Sequence, residues 1–337
     1  MKNILENIKY KEILSLILFF LTIIIIIKSS FFLPIIISII ITYFLYNIQK
    51  LLTKVNISNS ISFFITYSLF LTFFILILTI LLPIIFKQLA NLFDDLPIIL
   101  QKIKILTYKY PSIFSIEQTN ILFSNITTYV QSIGKTLISA SLISIAIIIK
   151  WTISIFIIPI LVLFLLKDHK KILEWFNKIM PEKMRFWKNI WIEINTQIEN
   201  YIRGKIIEII IITIANYILF KIYKISYADL LSIMVGVSVI IPYIGAIMVS
   251  IPVILISAVQ LGISQEFLYI TIIYTTIQLL DGNILVPLLF SEAVNLHPIS
   301  IIISVIVFGS TLNIYGVFFA IPFAIVIKAI INIHLKH

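Results

Sequence analysis

The chain has 337 residues, 61 % of them hydrophobic and only 12 % charged, and a mean hydropathy of +1.13. Soluble domains carry about 25 % charged residues, so a soluble enzyme of ordinary design is excluded, and so is disorder, which needs the opposite composition. With no cysteine there is no disulfide, thiolate metal site or cysteine nucleophile, which leaves an all-α, polytopic integral membrane protein.

Isoleucine outnumbers every other residue while there are only eight glycines. That balance fits an A/T-rich coding bias, so isoleucine positions are read as apolar and nothing more.

A helix needs about 20 apolar residues to cross the hydrocarbon core. The first candidate, Ile13–Ile27, turns at Lys28-Ser29-Ser30 and returns as Phe31–Tyr46. Lys2, Lys9 and Lys11 imitate a signal peptide, but no small-residue cleavage site follows, so an uncleaved span is expected. Ile61–Ile85 is the third span, which closes an N-terminal unit over 1–85. Residues 86–136 mix Asp94, Asp95, Glu117 and several lysines with apolar positions at helical spacing, and read as an external amphipathic helical cap. The stretch 137–166 is a fourth span, interrupted by Lys150-Trp151 and Pro159. A charged amphipathic helical segment, 167–205, follows on the cytoplasmic side. Residues 206–337 form a C-terminal membrane bundle that begins with the span Ile206–Phe220. Asp229–Ala258, Phe267–Phe290 and His297–Ile333 supply the remaining spans, each broken internally.

Lysine and arginine set the orientation. With the N-terminus inside, 16 basic residues fall on the inner side and 8 on the outer, with Lys150 inside a span. Both termini are therefore expected in the cytoplasm, and the protein in a bacterial inner membrane. The net charge of +10 is explained by insertion and by contact with anionic membrane lipid. Acidic residues interleave with the basic ones between 167 and 205, so no nucleic-acid partner is expected.

The last third is the informative region, with six of the eight glycines. A continuous helix over Asp229–Ala258 would run about 45 Å, so a bend is expected at Ile241-Pro242. Further on, Gln278, Asp281, Gly282 and Asn283 interrupt an apolar helix before Pro287. Gly309 and Gly316 flank Asn313 in the final segment. Broken helices at membrane depth are tolerated where they are buried in protein or line a wet cavity. The candidate transport-pathway residues are therefore Gln278, Asp281, Gly282, Asn283, Pro287, Pro242, Tyr243, Gly245, Gly309, Asn313 and Gly316. Asp281 reads either as a proton or cation carrier or as a helix cap at a wet boundary. Lys150 and Glu208 are expected to reach the membrane interface.

Several runs then carry a resemblance. PYIG at Pro242–Gly245, LDGNILVP at Leu280–Pro287, NLHP at Asn295–Pro298 and GVFFAIP at Gly316–Pro322 resemble the signature of the AI-2E (autoinducer-2 exporter) transporter family. FLLKDHKK, MPEK and YIRGK in the cytoplasmic segment match further landmarks of that family. Two positions depart from it: Lys205 stands where glutamine is common, and Phe308-Gly309-Ser310 where glycines are paired. The resemblance implies about eight membrane helices, both ends inside and a homo-oligomer. It also implies export of a small signalling molecule or ion-coupled antiport.

Other chemistry is missing from the sequence. SIGKT at Ser132–Thr136 lacks the upstream glycine of a phosphate loop, because Tyr129 stands there. His169, His297, His334 and His337 show no metal spacing. Asp281 has no second deep carboxylate in the C-terminal spans with which to form an aspartyl dyad. No enzyme activity, cofactor or metal is expected. The reading is a secondary transporter or permease that exports or exchanges a small solute or ion along an ion gradient. The alternative is a non-transporting membrane scaffold that recruits partners through 167–205.

Overall fold

The computed structural model describes residues 32–108, 123–124, 152–179, 185–242, 244–290 and 297–334. The first expected span (13–27), most of the expected cap, Lys150 and Tyr243 lie outside the described residues. The described residues form α1 (Phe32–Lys54), α2 (Asn59–Leu76) and α3 (Leu82–Tyr108). They continue as α4 (Thr152–Lys167), α5 (His169–Ile179), α6 (Arg185–Ile222) and α7 (Ala228–Ser238). The last elements are α8 (Ile244–Leu261), α9 (Gln265–Leu280), α10 (Val286–Phe290) and α11 (Pro298–His334). No strand occurs among the described residues. By length and composition, four helical stretches there can cross a membrane: Phe32–Lys54, Asn59–Ile105, Ile244–Leu261 and Gln265–Phe290.

Two compact units result, one of residues 1–73 and 140–191 and the other of 74–139 and 192–337. In the first, α1 buries Pro34, Ser38, Leu45 and Gln49, while α2 buries Ser62, Thr66 and Phe70. Small polar residues on these stripes let membrane helices approach closely. Ser38 Oγ donates to Pro34 O at 2.7 Å and reaches Ile158 O on α4. From α2, Tyr67 Oη donates to Pro159 O at 3.2 Å. The α1 helix ends in a paired-bond cap, in which Asn56 N–H donates to Thr53 O and Ile57 N–H to Leu52 O. Asn56 takes the left-handed conformation (φ 63°) that this cap requires.

The second unit is built around α7. Its 11 residues are mostly buried and rise only about 16 Å, too short to span. Leu231 and Val235 sit at its centre, against Phe220 of α6, Val253 of α8 and Tyr274 of α9. The N-terminus of α7 has no cap of its own; Gln88 on α3 accepts from Leu230 N–H and donates to Asp229. Asp95 on α3 accepts from the Tyr227 hydroxyl.

Two helices run through points where the sequence predicted a change of element. The helix from Asn59 to Tyr108 is unbroken at residue 86, where the outer cap was expected to begin. α6 likewise passes from the charged segment into the apolar one without a break at 205/206. Both π-helical turns among the described residues come just before a proline: Ile77–Leu81 before Pro83, and Asp281–Leu285 before Pro287. A proline in a helix lacks its N–H and crowds the carbonyl four residues back. Widening the turn avoids that carbonyl, and the residue preceding each proline donates five residues back, Leu82 to Ile77 and Val286 to Asp281. The break expected around Gln278–Asn283 is thus a π bulge in a continuous helical path.

The final segment is helical from Pro298 to His334 but is not straight. In a straight helix Phe308 and Phe323 would lie about 22 Å apart, yet their rings are 4.8 Å apart. The chain therefore doubles back between Leu312 and Gly316, leaving two apolar arms, Ile299–Leu312 and Gly316–Ala329. The interruption expected between Gly309 and Gly316 takes the form of this reversal.

Candidate functional site: a polar cavity among the interrupted helices

A cavity of about 610 Å³ opens within the second unit. α6 supplies Tyr201, Lys205 and Glu208, one helical turn apart on a single face. The turn after α7 supplies Val239, Ile241 and Pro242, and α8 supplies Ala246 and Ile247. The π bulge and its flanks bring Gln278, Asp281, Gly282 and Pro287, while α11 adds Ile301 and Ile321 from its two arms. Most of the wall is apolar, and its few polar groups converge from separate helices, as in small-ligand sites.

Of the residues named from sequence, Gln278, Asp281, Gly282, Pro287 and Pro242 line this one space. Gln278 and Asp281 are three apart and share a face. Asp281 is only 8 % exposed. Its Oδ1 and Gln278 Nε2 are buried with no hydrogen-bond partner among the described residues. Asp281 does not act as a cap: it is within the helical path, its N–H donating to Gln278 O and Ile277 O.

Asn283 is different. It is exposed, and its Nδ2 donates back to Leu279 O at 2.8 Å. Two residues past Asp281 is roughly half a turn away, which carries this side chain off the cavity. Gly245, Gly309 and Gly316 do not line the space either. Gly245 and Gly316 sit where the chain reverses, packed against the carbonyls of Ser238 and Phe308. The Asn313 side chain, like all of Tyr243, lies outside what is described.

Glu208 corrects the sequence expectation. It does not reach the interface but is 2 % exposed, paired with Lys205 at 2.6 Å. Lys205 also donates to Val239 O at 3.0 Å and stands 5.0 Å from the centroid of the Phe290 ring. One cation thus ties α6 to the end of α7 and to α10. Its field reaches both Glu208 and Asp281. The pairing was readable in principle, because a lysine and a glutamate three apart on an apolar helix can neutralise each other instead of snorkelling.

The sequence itself has counterparts among known proteins. Residues 13–336 match the family model described as AI-2E family transporter. The chain belongs to that family. It is 36 % identical over 308 residues to the Escherichia coli (strain K12) protein named "Putative permease PerM", covering 90 % of this chain and 87 % of that one. It is also 27 % identical over 304 residues to the Bacillus subtilis (strain 168) "Putative transport protein YueF", covering 86 % of this chain and 80 % of that one. The AI-2E protein described here is a multi-pass membrane protein of a transporter family.

Proposed function

We propose that the cavity around Asp281 is part of the route by which a small solute or ion is exported or exchanged along an ion gradient. The carrying observation is the pair of groups without a hydrogen-bond partner among the described residues, Asp281 Oδ1 and Gln278 Nε2, on one space within apolar helices. Polar atoms left without partners in apolar surroundings are costly. Water or a polar solute in the cavity removes that cost.

An acceptor and a donor side by side suit a ligand with both functions, or a hydrated cation held by the carboxylate. The Lys205–Glu208 pair stands beside them in the same lining. The two chain reversals, at Ser238–Gly245 and Phe308–Gly316, give the surrounding helices points about which to rearrange. The lysine and arginine distribution supports placing both termini in the cytoplasm of a bacterium, with the protein in its inner membrane.

The test is gradient-driven flux in liposomes containing the purified protein, with candidate ions and metabolites screened in parallel. Asp281→Asn, which keeps the shape and removes the charge, should lower flux by about tenfold or more. Unaltered flux in that variant, with a normal melting temperature, removes Asp281 from the mechanism.

A further inference from the structure

A second cavity, of about 570 Å³, lies in the first unit, where the ends of α1 and α4 and the start of α2 come together. Lys50, Lys167 and Lys170 line it, and among the described residues no carboxylate does. The neighbouring Asp168 is held by Lys171 at 2.9 Å, a hydrogen bond that keeps its carboxyl below the usual range. Lys50 Nζ stands 4.7 Å from the Tyr46 ring centroid, and that ring lies 4.4 Å from His169. Basic charge is therefore gathered against an aromatic floor.

Two buried polar atoms in the same wall have no partner among the described residues, Gln49 Oε1 and His169 Nε2. Gln49 is only 9 % exposed. His169 Nδ1 lies 3.1 Å from Leu166 O. That contact puts the proton on Nδ1 and leaves Nε2 as an acceptor. The cavity thus offers Lys167 and Lys170 for an anion, beside the ring-bound Lys50, and two acceptors for hydroxyl groups.

The outer wall is apolar and belongs to the exposed flank of α2. Phe63 and Phe64 line the cavity, and Phe64, 73 % exposed, continues into Ile61 and Ile65. From the cavity rim starts α5, HKKILEWFNKI, a basic amphipathic helix with an exposed Trp175. Helices of this kind lie in the membrane interface. A free anion would have no use for the apolar flank.

We infer that this cavity binds the headgroup of an anionic phospholipid carrying free hydroxyls, of the phosphatidylglycerol type. The phosphate diester sits between Lys167 and Lys170. The glycerol hydroxyls donate to Gln49 Oε1 and His169 Nε2, and the acyl chains run along Phe64 and Ile61. Basic pockets between membrane helices at the interface recognise anionic headgroups in this way.

The experiment is native mass spectrometry of the full chain in detergent, offered equimolar phosphatidylglycerol and phosphatidylcholine. The wild type should retain phosphatidylglycerol in clear preference. Lys167→Gln with Lys170→Gln should lower that retention by about tenfold or more, at an unchanged melting temperature. Lys54→Gln with Lys87→Gln removes equal charge from exposed positions outside the cavity and should leave retention unchanged. Equal loss in both double variants, or no preference in the wild type, overturns the assignment. So does displacement of the lipid by equimolar inorganic phosphate or glycerol 3-phosphate, which would make the site one for a soluble anion.

Discussion

Gly316 lies so close to the carbonyl oxygen of Phe308 that a methyl group on its Cα would occupy the oxygen's place. Gly245 has the same relation to the carbonyl of Ser238. In each case a glycine seven or eight residues on lets two helical arms fold back at backbone contact. The two reversals flank the cavity, with Pro242 and Ile241 from one and Ile301 and Ile321 from the other.

Gly316→Ala and Gly245→Ala should each destabilise the protein by about 2 kcal/mol or more, because backbone cannot yield to a new methyl group as a side-chain tip can. Gly282 is the internal control. A methyl group there meets nothing within 4 Å, so Gly282→Ala should leave the melting temperature unchanged or raise it slightly. Thermal unfolding in detergent reads all three.

Removing half of the buried ion pair should be worse than removing all of it. Lys205→Met leaves the buried Glu208 without its compensating cation, at a cost of about 3 kcal/mol. Adding Glu208→Leu should recover most of that loss. A double variant as unstable as Lys205→Met would show that the lysine matters through Val239 and Phe290 rather than through Glu208.

How far the sequence led can be seen at these same residues. Composition and hydrophobic runs made the all-α membrane class plain, and clustered glycine, proline, Gln278 and Asp281 located one side of the cavity. The other side was missed, because Lys205 and Glu208 sit near the end of an apolar run where snorkelling to the interface is the usual outcome. Only the packing of α6 against α7 and α10 shows that they turn inward. Asn283 was included for its polarity alone, although helical phase turns it away from Asp281. The breaks were foreseen, but not their form: a π bulge before Pro287 and a chain reversal before Gly316 have similar signatures in sequence.

Tyr227 should titrate late. Burial and then the hydrogen bond to Asp95 push its hydroxyl up from 10.0 to about 12. In the unfolded chain it loses its proton first, so its contribution to stability is complete below about pH 10 and is lost as pH rises toward 12. Tyr227→Phe should remove that part of the alkaline loss. Absorbance titration at high pH should show one fewer late-ionising tyrosine among the 15. An unchanged titration would mean that α3 does not hold the start of α7 through Asp95.

The most direct test of the central claim uses the lack of native cysteine. A membrane-impermeant, water-soluble thiol reagent should label Gln278→Cys in intact membranes. It should leave Leu279→Cys, one residue on and 59 % exposed on the outer flank of the same helix, unreacted because it faces lipid. Protection of position 278, or equal labelling of both positions, would contradict a water-filled cavity beside Asp281.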